Sequence, residues 1–124
     1  SLKGEAVRCD GFFVSQEINF SGKDIFRIQK EKDMKIIIVG CGKVGRTLAE
    51  QLCRENHDVT VIDHRAEALK YVSDNLDALC VVGNGAVFQT QIEAGVKEAD
   101  LLIATTGSDE LNMLCCLIAK KTGD

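Results

Sequence analysis

The hydrophobic pattern changes character at Met34. From there Lys35-Ile36-Ile37-Ile38-Val39 is an almost unbroken β-branched run, the pattern of a parallel strand buried on both faces. Val44, Leu48 and Leu52 recur at i, i+4 and i+8 with Ala49 and Cys53 beside them, which predicts an amphipathic helix from Lys43 to Glu55. Val59-Thr60-Val61-Ile62 reads as a second strand, Leu69, Val72 and Leu76 as a second helix, and Leu79-Cys80-Val81-Val82 as a third strand. After Gly83-Asn84-Gly85 the pattern predicts a short helix to Ala94, a fourth strand at Leu101-Leu102-Ile103-Ala104, and a last helix with Ser108 as its N-cap. That helix is apolar nearly all round from Leu111 to Ile118, so more chain or a second subunit is expected to cover it. Strands and helices alternating through right-handed crossovers make an α/β fold, a parallel sheet with helices on both faces.

Residues 1–33 follow a different pattern. Phe12-Phe13-Val14 and Ile25-Phe26-Arg27-Ile28 flank Asn19-Phe20-Ser21-Gly22, an arrangement that allows a small hairpin with a Ser-Gly turn. Four of the five phenylalanines fall in this stretch, so it is expected to pack against something, such as a neighbouring chain. The reading is an N-terminal extension of unknown role over 1–33 and one domain over 34–124.

Composition narrows the function classes. At 124 residues the length predicts one domain, or one domain with an appendage. The formal charge of -4 disfavours nucleic acid as a partner. No apolar run reaches the roughly 18 residues needed to cross a bilayer, so direct membrane insertion is not expected. The six cysteines contain no Cys-x-x-Cys pair, and they read as small buried hydrophobes in a reducing compartment rather than as metal ligands or a disulfide framework. Proline is absent, and glycine punctuates the chain instead. Ser1 is followed by neither a signal nor a transit pattern, and the missing initiator Met leads us to expect either a cloning remnant at the start or a fragment of a longer protein.

Gly40-Cys41-Gly42-Lys43-Val44-Gly45 fits G-x-G-x-x-G. Alone the motif is weak; here it follows a predicted strand, opens a predicted helix, and is answered by Asp63, 18 residues after Gly45. In this reading Gly40 makes the tight turn, Gly42 admits a pyrophosphate close to the backbone, and Gly45 lets helix and strand pack closely. The free N–H groups and the dipole at the helix start would hold phosphate oxygens, with charge added by Lys43 and Arg46. Asp63 accepts from both ribose hydroxyls and repels a 2'-phosphate, which favours NAD(H), ATP or ADP over NADP. His64 and Arg65 qualify that preference, because an arginine just beyond the strand can receive the phosphate.

Gly83, Asn84 and Gly85 end the third strand where an adenine would lie. Thr105 and Thr106 border the crevice at the carboxyl ends of the strands, where ligands bind in such sheets. The candidate cofactor-binding set is therefore Gly40, Cys41, Gly42, Lys43, Val44, Gly45, Arg46, Asp63, His64, Gly83, Asn84, Gly85, Thr105 and Thr106, with no catalytic or metal-binding residue among them. Asp109 and Glu110 suit the positive end of the last helix. His57, in a polar Glu-Asn-His-Asp turn, is expected to be solvated. Cys41 sits at a helix start, where a thiol pKa can fall and redox sensitivity arise.

The stretch from Met34 to Val39, the glycine loop, Val61-Ile62-Asp63, Gly83-Asn84-Gly85 and Ala104-Thr105-Thr106-Gly107-Ser108-Asp109-Glu110-Leu111-Asn112 together resemble the TrkA N-terminal (KTN or RCK N-terminal) domain family. The resemblance covers residues 34–124. It implies a Rossmann-like doubly wound sheet, here ending after the fourth α-helix, whereas family members usually continue with a further strand and helix. By position Gly40, Gly42, Lys43, Val44 and Gly45 match the family's phosphate loop, Asp63 its ribose-binding acid, and Gly83 to Ala86 its adenine-side loop. The resemblance further implies a cytoplasmic regulatory domain, not an enzyme, at the inner face of the cell membrane. There it would bind NAD(H) or ATP/ADP, assemble as a homodimer or larger homo-oligomer, and control a membrane potassium transporter or channel subunit. The competing reading is the cofactor-binding fragment of an NAD-dependent dehydrogenase, which the glycine loop fits equally well.

Overall fold

The computed structural model describes residues 3–9, 16–19 and 33–123. The hairpin expected around Ser21-Gly22 lies outside them. Six strands form one sheet: β1 (Lys3–Arg8), β2 (Gln16–Asn19), β3 (Lys35–Val39), β4 (Asp58–Asp63), β5 (Ala78–Val82) and β6 (Leu101–Ala104). Between them run α1 (Lys43–Arg54), α2 (Lys70–Asn75) and α3 (Phe88–Glu93), and α4 (Asp109–Gly123) follows β6. Each strand and helix predicted after Met34 is present, with ends shifted by a few residues at most.

The sheet order is β2-β1-β6-β3-β4-β5. The four strands from β3 onward that pair side by side, β5-β4-β3-β6, are all parallel, which makes the fold Rossmann-like. The chain crosses from one side of β3 to the other between β5 and β6, so the crevice between the carboxyl ends of β3 and β6 is the topological switch point, where ligands enter such sheets.

The β-branched run of β3 explains its central place. Ile36, Ile37 and Ile38 are fully buried, and burying such side chains contributes about 1.5–3 kcal/mol each. Ile36 and Ile38 face Leu48, Ala49 and Leu52 of α1 and Val72 of α2. Ile37 and Val39 face the opposite core with Val96, Cys115, Cys116 and Ala119. Helices therefore cover both faces.

Within the extension, Lys3–Arg8 and Gln16–Asn19 join the sheet of their own chain. β1 runs antiparallel along β6, with Glu5 opposite Ala104 and Arg8 opposite Leu101. Val7 is fully buried in the same core as Cys115 and Cys116, so β1 and β6 cover one stripe of α4. The opposite stripe, Met113, Leu114 and Leu117, stays about half exposed.

His57 departs from the solvated position expected of a polar turn. Asn56 takes the left-handed conformation, φ 67°, and turns the chain so that the imidazole is buried. His57 Nδ1 accepts the Met34 N–H at 3.1 Å, closing the start of β3.

Candidate functional site

The glycine loop is shaped by contacts that leave no choice of residue at two of its positions. Gly40 has φ +102°, and a Cβ there would lie 3.1 Å from the Thr105 backbone; only glycine takes this conformation without strain. A Cβ on Gly45 would lie 1.9 Å from the Gly40 carbonyl oxygen, so α1 sits as close to the loop as a bare backbone permits. Gly42 is different. A Cβ there would meet nothing within 4 Å, so its side faces open space at the start of α1. Gly42 is also the N-cap of α1, and no side chain caps the helix, leaving the first-turn donors without the usual side-chain acceptor.

Thr105 holds the loop against β6. Its N–H donates to the Val39 carbonyl at 2.8 Å and its hydroxyl to the Gly40 carbonyl at 3.1 Å. The Thr106 hydroxyl donates to Asn112 Oδ1 at 2.6 Å, and the same oxygen accepts the Thr106 N–H at 2.9 Å. Asn112 Nδ2 returns a bond to the Thr106 carbonyl at 3.2 Å. Asn112 is buried, so the first turn of α4 clamps the crevice wall. Ser108 caps that turn as expected, its Oγ accepting the Leu111 N–H at 3.1 Å.

Asp63, at the end of β4, is buried and aimed at the loop. Its Oδ2 accepts the Cys41 N–H at 2.8 Å, and its Oδ1 accepts the Arg65 N–H at 2.8 Å. The Arg65 guanidinium adds Nε to Oδ1 at 3.1 Å and Nη2 to Oδ2 at 3.2 Å. Burial pushes the Asp63 carboxyl upward, but the Arg65 guanidinium and the two backbone donors outweigh it and hold the group below its ordinary range.

A crevice of about 380 Å³ opens between these parts, within the size range of small-molecule sites. Gly40, Gly42, Asp63, His64, Gly83, Asn84, Gly85, Thr105 and Thr106 all line it. Cys41, Lys43 and Arg46 border a neighbouring recess beside Tyr71, where the Arg46 guanidinium stacks 3.5 Å from the ring centroid. Val44 and Gly45 pack inward. Arg65, Gly107 and Leu111 also line the crevice and lie outside the predicted set; position was the available signal, since each follows closely on a strand end or opens a helix.

At Cys41 the lowering that a helix start can bring to a thiol pKa does not occur. Burial, the Asp63 carboxylate and Cys80 push it up, more strongly than Arg46 and Arg65 pull it down. The thiol therefore stays protonated at neutral pH.

The uncapped helix mouth, the open side of Gly42 and an acid at the end of the next strand fit the donors and acceptors of a dinucleotide or adenine nucleotide. Gly42 and the first turn of α1 would face the phosphates, Asp63 the ribose, and Gly83 to Gly85 the adenine side. Fold and site together define a Rossmann-type α/β domain.

Residues 36–124 match the family model of the TrkA-N domain, and the chain belongs to that family. It is 48% identical over 86 residues to the Trk system potassium uptake protein TrkA of Halomonas elongata, covering 69% of this chain and 19% of that protein. Over 86 residues it is 45% identical to the protein of that name from Vibrio alginolyticus, covering 69% of this chain and 19% of that one. Over 88 residues it is 40% identical to the Trk system potassium uptake protein TrkA homolog of Methanothermobacter thermautotrophicus, covering 71% of this chain and 41% of that one. The chain thus spans less than half the length of these relatives.

Proposed function

We propose that residues 34–124 are a regulatory nucleotide-binding domain that takes NAD(H) or ATP/ADP through the glycine loop and Asp63, and that its occupancy controls a membrane potassium transporter or channel subunit. The observation that carries the nucleotide reading is the juxtaposition of Asp63 with the loop: its Oδ2 accepts the Cys41 N–H at 2.8 Å, one residue from the open side of Gly42. The regulatory part is supported by the potassium-uptake names of the relatives. These names favour the regulator over the dehydrogenase fragment, for which the loop alone speaks. Among the described residues no helix is long and apolar enough to cross a membrane, which is compatible with a domain that works at the cytoplasmic face through its transporter. The half-exposed stripe Met113, Leu114 and Leu117 suits assembly as a homodimer or larger homo-oligomer.

Thermal denaturation with NADH, NAD, ATP, ADP and NADPH tests the reading. A ligand at a hundredfold excess over its dissociation constant adds about 2.7 kcal/mol, which for a domain of this size raises Tm by on the order of 10 °C. The expected result is such a shift with at least one of the first four ligands and a smaller one with NADPH. No shift with any of them overturns the nucleotide reading. Hydride transfer by the full-length protein would favour the dehydrogenase instead.

A further inference from the structure

We infer that Arg65 is a latch on the ribose seat, so that a ribose diol gains Asp63 only by displacing the guanidinium; the inference rests on the nucleotide reading above. An ionised carboxylate offers about four lone-pair positions. In Asp63 four donors fill them: the Cys41 N–H, the Arg65 N–H, Arg65 Nε and Arg65 Nη2. A vicinal diol brings two further donors, for which this carboxylate has no vacant acceptor position.

The four bonds are unequal. The two backbone bonds are 2.8 Å each and are fixed by the loop and by the turn after β4. The two guanidinium bonds are longer, 3.1 and 3.2 Å, and belong to a side chain about half exposed, whose far end can return to water at little cost. Two donors leave and two arrive, so the exchange matches in number. His64 does not take part, because its Nδ1 lies 3.6 Å from Asp63 Oδ1, beyond hydrogen-bond range.

Two consequences follow. Affinity for every ligand that uses the diol is reduced by the cost of opening the latch, as for any protein whose binding-competent form is only partly populated. The released guanidinium then stands at the rim of the crevice, which Arg65 lines, and there it serves as a cation for a 2'-phosphate. Arg65 therefore lowers discrimination between NADH and NADPH from both sides.

Calorimetric titration of the wild type and Arg65→Ala tests this with NADH, NADPH, ADP and 2',3'-dideoxyadenosine diphosphate. The variant is expected to bind NADH and ADP about three- to tenfold more tightly, the scale of losing one charged contact. It should bind NADPH more weakly and the dideoxy ligand unchanged. Looser or unchanged NADH binding, or an equal gain for the dideoxy ligand, overturns the latch and leaves the nucleotide reading standing. No binding of any ligand by either protein overturns both. If Arg65→Ala fails to fold, the Arg65 Nε–H resonance of the wild type serves instead. It should move on saturation with NADH but not with the dideoxy ligand, and an unmoved signal with NADH overturns the latch.

Discussion

Gly42 and Gly45 stand three positions apart in one motif and do opposite work. At Gly45 a methyl group would lie 1.9 Å from the Gly40 carbonyl oxygen, so Gly45→Ala must push α1 away from the loop. The expected cost is at least the roughly 1–3 kcal/mol typical of an overpacked site, read by urea denaturation. At Gly42 a methyl group meets nothing within 4 Å, so Gly42→Ala should cost no more than the roughly 1 kcal/mol by which alanine is the poorer N-cap. It should nonetheless weaken nucleotide binding about tenfold or more, because the methyl occupies the space a phosphate needs. If both variants lose stability equally, the assigned division of roles is wrong. The spacing of these glycines and the acid after them were legible in the amino-acid sequence, since the requirements of the loop are local. Arg65 was legible as an arginine beyond the strand that can receive a 2'-phosphate; that its side chain folds back onto Asp63 depends on where the end of β4 meets the loop.

Among the elements, α3 shows most plainly what burial does to a polar residue. Gln91 sits in a six-residue helix and is fully buried. Its Nε2 donates to the Gly85 carbonyl at 2.8 Å and to the Cys115 carbonyl at 2.9 Å, tying the loop after β5 to α4. No local pattern marks such a residue, because a glutamine in a short amphipathic helix ordinarily faces water. Gln91→Leu keeps the volume and removes both donors, so it should lower stability by about 1–3 kcal/mol, measured by thermal denaturation. An unchanged Tm would mean that the two carbonyls are satisfied without it. Asn112 has the same character on α4. Its three bonds to Thr106 give the end of the Thr105-to-Asn112 stretch a structural task, in addition to the helix capping by Ser108.

Over the whole molecule, Asp63 links the end of β4 to the loop between β3 and α1, so its charge contributes to the stability of the fold. Its carboxyl is held below the ordinary range by Arg65 and the backbone donors despite burial. A group with a lowered folded-state pKa contributes stability that is fully present above its unfolded value, about 3.9, and lost as pH falls through the lower folded value. Wild type should therefore exceed Asp63→Asn in unfolding free energy near neutral pH, with the gap closing as the solution is acidified below about pH 4. A gap that stays constant down to acid unfolding would show that the ionised carboxylate is not what stabilises. The sheet edge is also a property of the whole. β1 reads from its own residues as a polar stretch, and it becomes a strand because β6 offers an unpaired edge to which Glu5 through Arg8 add.

Runs of β-branched residues, helical spacing and glycine intervals act over a few positions of chain, so the four parallel strands, the four helices and the phosphate-loop motif follow from order of residues alone. Contacts between distant segments set the rest: the antiparallel strand on β6, the buried His57 and Gln91, the raised thiol of Cys41, and the guanidinium on Asp63. Each depends on which donor meets which acceptor once the chain has closed. That matching is made by packing across the sheet, and no stretch of sequence read by itself contains it.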